Sequence, residues 1–266
     1  MMLNITDVVK HLLIINVLMF LVSNIMGLDS LALAYFESQH FQPYQFATYF
    51  FMHGDITHLL FNMIGLVFFG SVLEQYWGPK KFLFFYFFCA IGSAVLHYSI
   101  YYIEFSGIEQ AINAFAQDPS YDHFVGFFQD QFGGSERFNA TGAKEYKTAS
   151  DLLKAGDARG VEYAVNLMNS LLFFKVNAPL IVGASGAIFG VLLAVGLLFP
   201  EMKITPLFLP FGIKAMYFVP ILMIIELQLG VRNFEWDNIA HYAHLGGAVS
   251  GAVLILYWQK FGSRFD

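Results

Sequence analysis

Ile181-Val182-Gly183-Ala184-Ser185-Gly186-Ala187-Ile188-Phe189-Gly190 places one serine among residues with almost no side-chain bulk, inside an apolar run bracketed by Pro179 and Pro200. A soluble Gly-x-Ser-x-Gly elbow does not fit, because Gly190 is displaced and the surroundings are those of a membrane span. In a bilayer, small residues let helices approach closely, and a buried hydroxyl is either a packing residue or a functional one. The stretch alone leaves both readings open.

Composition sets the environment. Of 266 residues, 57% are hydrophobic, 18% aromatic and only 13% charged. Soluble domains carry roughly 25% charged residues, so the chain is expected to be an integral membrane protein. A net charge of −6 without a basic block argues against nucleic acid as a partner. The single cysteine, Cys89, cannot form an intramolecular disulfide. The first apolar run lacks a basic leader and a small-residue cleavage site, so it reads as a retained anchor.

Six apolar runs lie at about 10–28, 58–76, 81–103, 182–199, 213–230 and 238–258, against the roughly 20 residues a ~30 Å core needs. Between the third and fourth is an insert, 104–175, of ordinary polarity. Within it Ala158, Val161, Val165, Met168 and Leu172 form one helical stripe, with Gly156 and Gly160 weakening its start and Leu152-Leu153 assigned to a separate turn. A structured cap or docking element and a flexible loop both remain open for the insert. Asn139-Ala140-Thr141 matches a glycosylation acceptor.

Basic residues orient the spans. Lys80 and Lys81, Lys203 and Lys214, and Lys260 and Arg264 mark cytoplasmic connections. The first connection has Asp29 and Glu37 but no Lys or Arg, and the fifth has Glu235 and Asp237 against Arg232. Both termini are therefore expected in the cytoplasm and the insert outside. The even spans then run inward, so early residues of each lie near the outer face. His58 and Asn62, four apart, share one face at the start of the second. His244 lies about two turns into the sixth, on the order of 10 Å deep.

The fourth span needs more care. Gly183 disfavours a helical start before Ser185, and Ser185 to Phe199 would be only ~23 Å long. That is too short to cross, which lowers Ser185 to about the depth of His244 and leaves a non-helical lead-in, 179–184, tolerated only within protein or beside water. Gly186 and Gly190 form a Gly-xxx-Gly face, and Gly247 and Gly251 form another after His244. Both let the backbones close, as a serine–imidazole hydrogen bond requires.

With these residues in place the sequence resembles the rhomboid family of intramembrane serine proteases. The resemblance rests on Gly183-x-Ser185-Gly186, on Ala-His244-Leu-Gly-Gly247-x-x-x-Gly251, and on His53-(x)4-His58-(x)3-Asn62 opening the second span. It implies an all-α, polytopic, six-transmembrane-helix bundle with a long outer insert between the third and fourth helices. It also implies a Ser–His dyad, with Ser185 as nucleophile and His244 as base. His58, Asn62 and the Ser185 backbone N–H become the oxyanion donors, and Phe189 the ring stacked on His244, where a Tyr is often found. Substrates would be transmembrane proteins, entering laterally from the bilayer beside the fifth helix. No metal or other cofactor is expected.

His241 is the rival base, one turn outward of His244. His53 is expected to order the turn into the second span, and Glu74 to act as a structural hydrogen-bond anchor. His11, His40, His97 and His123 show no partner pattern. Glu226 lies near the outer end of the fifth span, not beside His244, so no acidic third member is expected. For the same reason no carboxylate completes a zinc site, and His-Glu-x-x-His is absent. Pro43-Tyr44-Gln45 departs from the Trp-Arg pair that many family members carry in the first loop. A transporter or channel with a broken fourth helix, a metal-dependent intramembrane protease and a non-catalytic rhomboid-like binding protein are the alternatives. The plasma membrane or a bacterial inner membrane fits the chain, and an organelle stays open.

Overall fold

Backbone amides have no water to bond in hydrocarbon, so uninterrupted apolar runs become helices, and glycine or proline sets their ends. A computed structural model gives the protein at residues 5–133, 140–206, 210–232 and 240–261. Glu235, Asp237, Asn139 and Arg264, and the first two residues of the sixth run, lie outside the described residues. The fold is an all-α polytopic membrane bundle, and it divides into two units.

The first unit spans 1–36, 40–99 and 179–266. It opens with α1 (Asp7–Met26), ended by Gly27 in the left-handed conformation. A short helix α2 (Gln45–Thr48) follows. Next, α3 (Ile56–Gly65) joins α4 (Ser71–Trp77) through a π-helical turn at Leu66–Gly70. Then α5 (Pro79–Gln117) begins, running on past the third apolar run. Among the described residues four helices are long and apolar enough to cross a membrane: α1, the α3–α4 pair, α5 and the tenth helix described below.

The second unit, 37–39 and 100–178, contains the rest of α5 with α6 (Tyr121–Phe132), α7 (Ala140–Lys154) and α8 (Arg159–Asn177). Ser120 caps α6 by accepting from the His123 N–H at 3.1 Å, and Gly133 closes it at φ 67°. Phe105, Ile108, Phe115, Phe124, Phe128 and Met168 are buried in it. The 104–175 insert is therefore largely helical. Its stripe differs from expectation: Ala158 is exposed and precedes α8, and the buried face is Gly160, Ala164, Leu167 and Met168. Gly160 explains the rotation. A β-carbon there would stand 2.8 Å from the Leu153 nitrogen, so α8 turns its glycine, not Val161, toward α7.

Back in the first unit, β1 (Leu33–Ala34) pairs antiparallel with β2 (Pro179–Ile181), Leu33 opposite Ile181. This small ladder satisfies backbone in the non-helical lead-in. Helix α9 (Ser185–Leu198) follows, and the hairpin β3 (Lys203–Ile204) with β4 (Ile213–Lys214) leads to α10 (Ala215–Arg232). Helix α11 (His241–Phe261) completes the unit. Tyr49, Leu66, Phe82, Phe85, Tyr86 and Val191 are fully buried, whereas Ile25, Leu60, Ile91, Ile224 and Leu256 are more than half exposed. In a helix bundle of this composition that outward apolar surface is where lipid sits.

Two polar anchors hold this frame. In the first loop Gln45, 1% exposed, accepts from the Ala34 and Gln42 N–H groups and donates to the Ser30 and His40 carbonyls. The Pro43-Tyr44-Gln45 segment is thus pinned by an amide. At the other end the Glu74 carboxylate accepts from the Thr6 hydroxyl and from the Val8 and Val9 N–H groups at 3.0 Å each, capping α1 from α4. Replacing Glu74 by Ala leaves those amides unsatisfied and is expected to cost ~1–3 kcal/mol, with Glu74→Gln losing less because it keeps an acceptor. Thermal unfolding in detergent checks the order wild type, Gln, Ala; identical midpoints would refute the cap.

Candidate active site

Gly183 takes φ 108°, where a side chain is strained, and a β-carbon there would lie 2.7 Å from the His58 ring. Its N–H donates to the Tyr49 carbonyl at 2.9 Å. This bend ends the strand and lets α9 begin at Ser185, whose N–H is among the first-turn amides without an intrahelical acceptor and lies at the positive end of the helix dipole. The Ser185 Oγ stands 2.8 Å from His244 Nε2, although 59 residues separate them.

Glycine makes that approach possible. A β-carbon on Gly247 would overlap the carbonyl of Gly186, and one on Gly190 would lie 2.8 Å from the carbonyl of Gly247. Gly186 faces the Ala243 carbonyl and Gly251 the Gly190 carbonyl. All four glycines of the two expected faces therefore lie at the α9–α11 contact. Phe189, one turn after Ser185, lies parallel to the His244 ring, 4.1 Å between centroids with 5° between planes.

On α3, Asp55 caps the helix by accepting from the His58 N–H at 2.8 Å. Sequence reasoning missed this cap, although Asp before an apolar helical run is its usual signal. His58 lies within electrostatic reach of His244. Asn62 is 5% exposed, and among the described residues its side-chain nitrogen has no hydrogen-bond partner. That nitrogen is 3.4 Å from the position a Gly183 β-carbon would take, so it faces the bend before Ser185. A buried, unsatisfied donor costs ~1–3 kcal/mol and needs a reason. His53 is buried against His58, 5.1 Å between rings, with Nδ1 3.3 Å from the Phe51 carbonyl. Burial, with His58 adding to it, pushes its imidazole down to about 4, so His53 is neutral at pH 7.

One expectation is overturned. Glu226 of α10 is beside His244: its Oε2 lies 2.8 Å from His244 Nδ1 and 2.7 Å from His241 Nδ1. All three residues are buried. The reason is that α10 and α11 pack together near their adjoining ends, and His241 and His244, three residues apart, present one face to α10. The geometry that excluded a carboxylate from a metal cluster fails equally. One ligand atom from each of Glu226, His241 and His244 lies within 4.8 Å of the others. Both Nδ1 atoms already lie at hydrogen-bond distance from a single carboxylate oxygen, so a cation bound through them would replace both hydrogen bonds. A signal for Glu226 was present in the sequence, since a carboxylate within a span faces the bundle interior and has a partner.

A family model described as the Rhomboid domain matches residues 40–113 and 161–261. The unmatched stretch between them holds α6 and α7. Among curated proteins, Rhomboid-like protein 15 of Arabidopsis thaliana is 44% identical over 57 residues, which is 21% of this chain and 14% of that protein's length.

Proposed function

The chain belongs to the rhomboid family, and from that premise we propose that it is an intramembrane serine endopeptidase in which Ser185 attacks and His244 moves the proton. The observation that carries this reading is the Ser185 Oγ–His244 Nε2 pair at 2.8 Å, at the head of a helix. As Oγ bonds to the substrate carbonyl carbon, its proton passes to Nε2, and the carbonyl oxygen becomes an oxyanion. The Ser185 N–H, the Asn62 side-chain amide and His58 are the donors proposed for it. In a dry site each such donor contributes on the order of 3 kcal/mol. The unpartnered Asn62 nitrogen supports this assignment, because a developing oxyanion is what would satisfy it. Nε2–H then protonates the leaving amine, and water activated at the same nitrogen releases the acyl chain.

Substrates in this reading are membrane-anchored proteins cut within or next to a transmembrane segment. Small or helix-destabilising residues at the cut expose the scissile carbonyl that a helix would otherwise occupy. Helices α1, α3–α4, α5, α9, α10 and α11 serve as the six spans, with both termini cytoplasmic, 104–175 outside and the dyad toward the outer face. Entry beside α10 is supported by that helix being the least buried of the four long apolar helices and carrying Pro220 within it.

Purified full-length protein should label with a fluorophosphonate probe and cut a reporter transmembrane substrate at an undiminished rate in excess chelator. Absence of labelling, or complete inhibition by chelator, would overturn the serine mechanism.

A further inference from the structure

We propose that Glu226 is the positioning residue for the base, making the Ser185–His244 dyad a three-membered chain with His241 as a second donor to the same carboxylate. This rests on the reading of Ser185 and His244 as nucleophile and base.

For His244 to take a proton from Ser185, Nε2 must be the unprotonated nitrogen, and the ring proton must sit on Nδ1. An acceptor 2.8 Å from Nδ1 selects that form, and Glu226 Oε2 is such an acceptor. The carboxylate also fixes the ring plane, which Phe189 restrains from one face. When Nε2 accepts the serine proton the ring becomes a cation, and an anion at hydrogen-bond distance stabilises it where little water screens the pair.

A purely structural tie between α10 and α11 would not need a charge. A carboxylate within a span is expensive, and a hydroxyl or amide could join the helices at lower cost. Instead the charge is held by two ring N–H donors on one face of α11, His241 at 2.7 Å and His244 at 2.8 Å, their rings near perpendicular at 87°. Two such donors favour an ionised carboxylate, and His241 keeps Oε2 in place while the His244 ring changes charge. Among the described residues, His58 from α3 and His97 from α5 are further titratable groups within electrostatic reach of His244.

The test is the pH profile of fluorophosphonate labelling by the full chain in detergent, resolved into the maximal labelling rate and the probe affinity. Glu226→Gln is expected to lower the maximal rate ~100-fold with affinity within about twofold of wild type. Its acid limb is expected to move to lower pH, because the imidazolium has lost its anion. His241→Phe leaves the carboxylate to His244 alone, so its limb is expected to move the opposite way, to higher pH. A tie between helices that plays no part in proton transfer would shift neither limb. Wild type that labels, beside a Glu226→Gln variant of equal rate and unshifted limb, overturns this proposal alone. Wild type that does not label overturns the protease reading beneath it. Should Glu226→Gln lose its fold, the direction of the His241→Phe limb decides, and an unmoved limb overturns the proposal.

Discussion

Ser185→Ala is expected to abolish probe labelling and to reduce cleavage of a transmembrane reporter by at least about 10⁴-fold, while leaving the fold near wild type. The change removes one oxygen from a half-buried position and adds nothing that α9 must accommodate. Its structural cost is the loss of one hydrogen bond to His244 Nε2, ~1 kcal/mol. His244→Ala should give a similar loss of activity and a larger loss of stability, because it strips a donor from the buried Glu226 carboxylate and the stacking partner from Phe189. Thermal unfolding beside labelling and cleavage separates the two. Equal cleavage by Ser185→Ala and wild type would remove the serine from the mechanism.

The second large effect is expected at Gly247. A β-carbon there overlaps the backbone carbonyl of Gly186, and no side-chain rotation relieves a clash with main chain. Helices α9 and α11 must move apart, so Gly247→Val is expected to cost ~1–3 kcal/mol or more in overpacking and to open the Ser185–His244 hydrogen bond beyond reach. Labelling should fall by two orders of magnitude or more even where the protein stays folded, since an ångström of misplacement is enough for that. Gly107→Ala is the matched control: it lies in α5 with nothing within 4 Å, and it should leave labelling unchanged. If Gly247→Val labels like wild type, the close approach is not what positions the base.

Local chemistry explains what could be read from the chain. Gly183 announces its own bend, since a glycine before an apolar helix marks a place where positive φ can be used, and α9 does begin two residues later. The Gly-xxx-Gly faces were legible because small residues at helical spacing have few other uses in a bilayer. Glu226 was not legible as a partner of His244 because the relation lies in how α10 is rotated about its axis. Hydropathy is blind to rotation when one polar residue interrupts an apolar face. Chain order was the usable clue: Glu226 lies late in α10 and His241 opens α11, so both lie toward the ends at which the two helices adjoin. The second unit failed for a different reason. Val161 and Gly160 fit helical stripes one residue apart, and only the demand of α7 for a residue without a side chain decides between them.

The Glu74 cap has a consequence for how the protein is made. Chains are synthesised from the N-terminus, so the opening residues of α1 are made well before Glu74. Its first amides, and the Thr6 hydroxyl, then depend on water or headgroups. They gain the carboxylate only when α4 has followed α3 into the membrane and docked alongside. Formation of α1 and its capping are thus two events separated by the arrival of α3 and α4. Helix α1 waits, unlatched, for α4 to arrive.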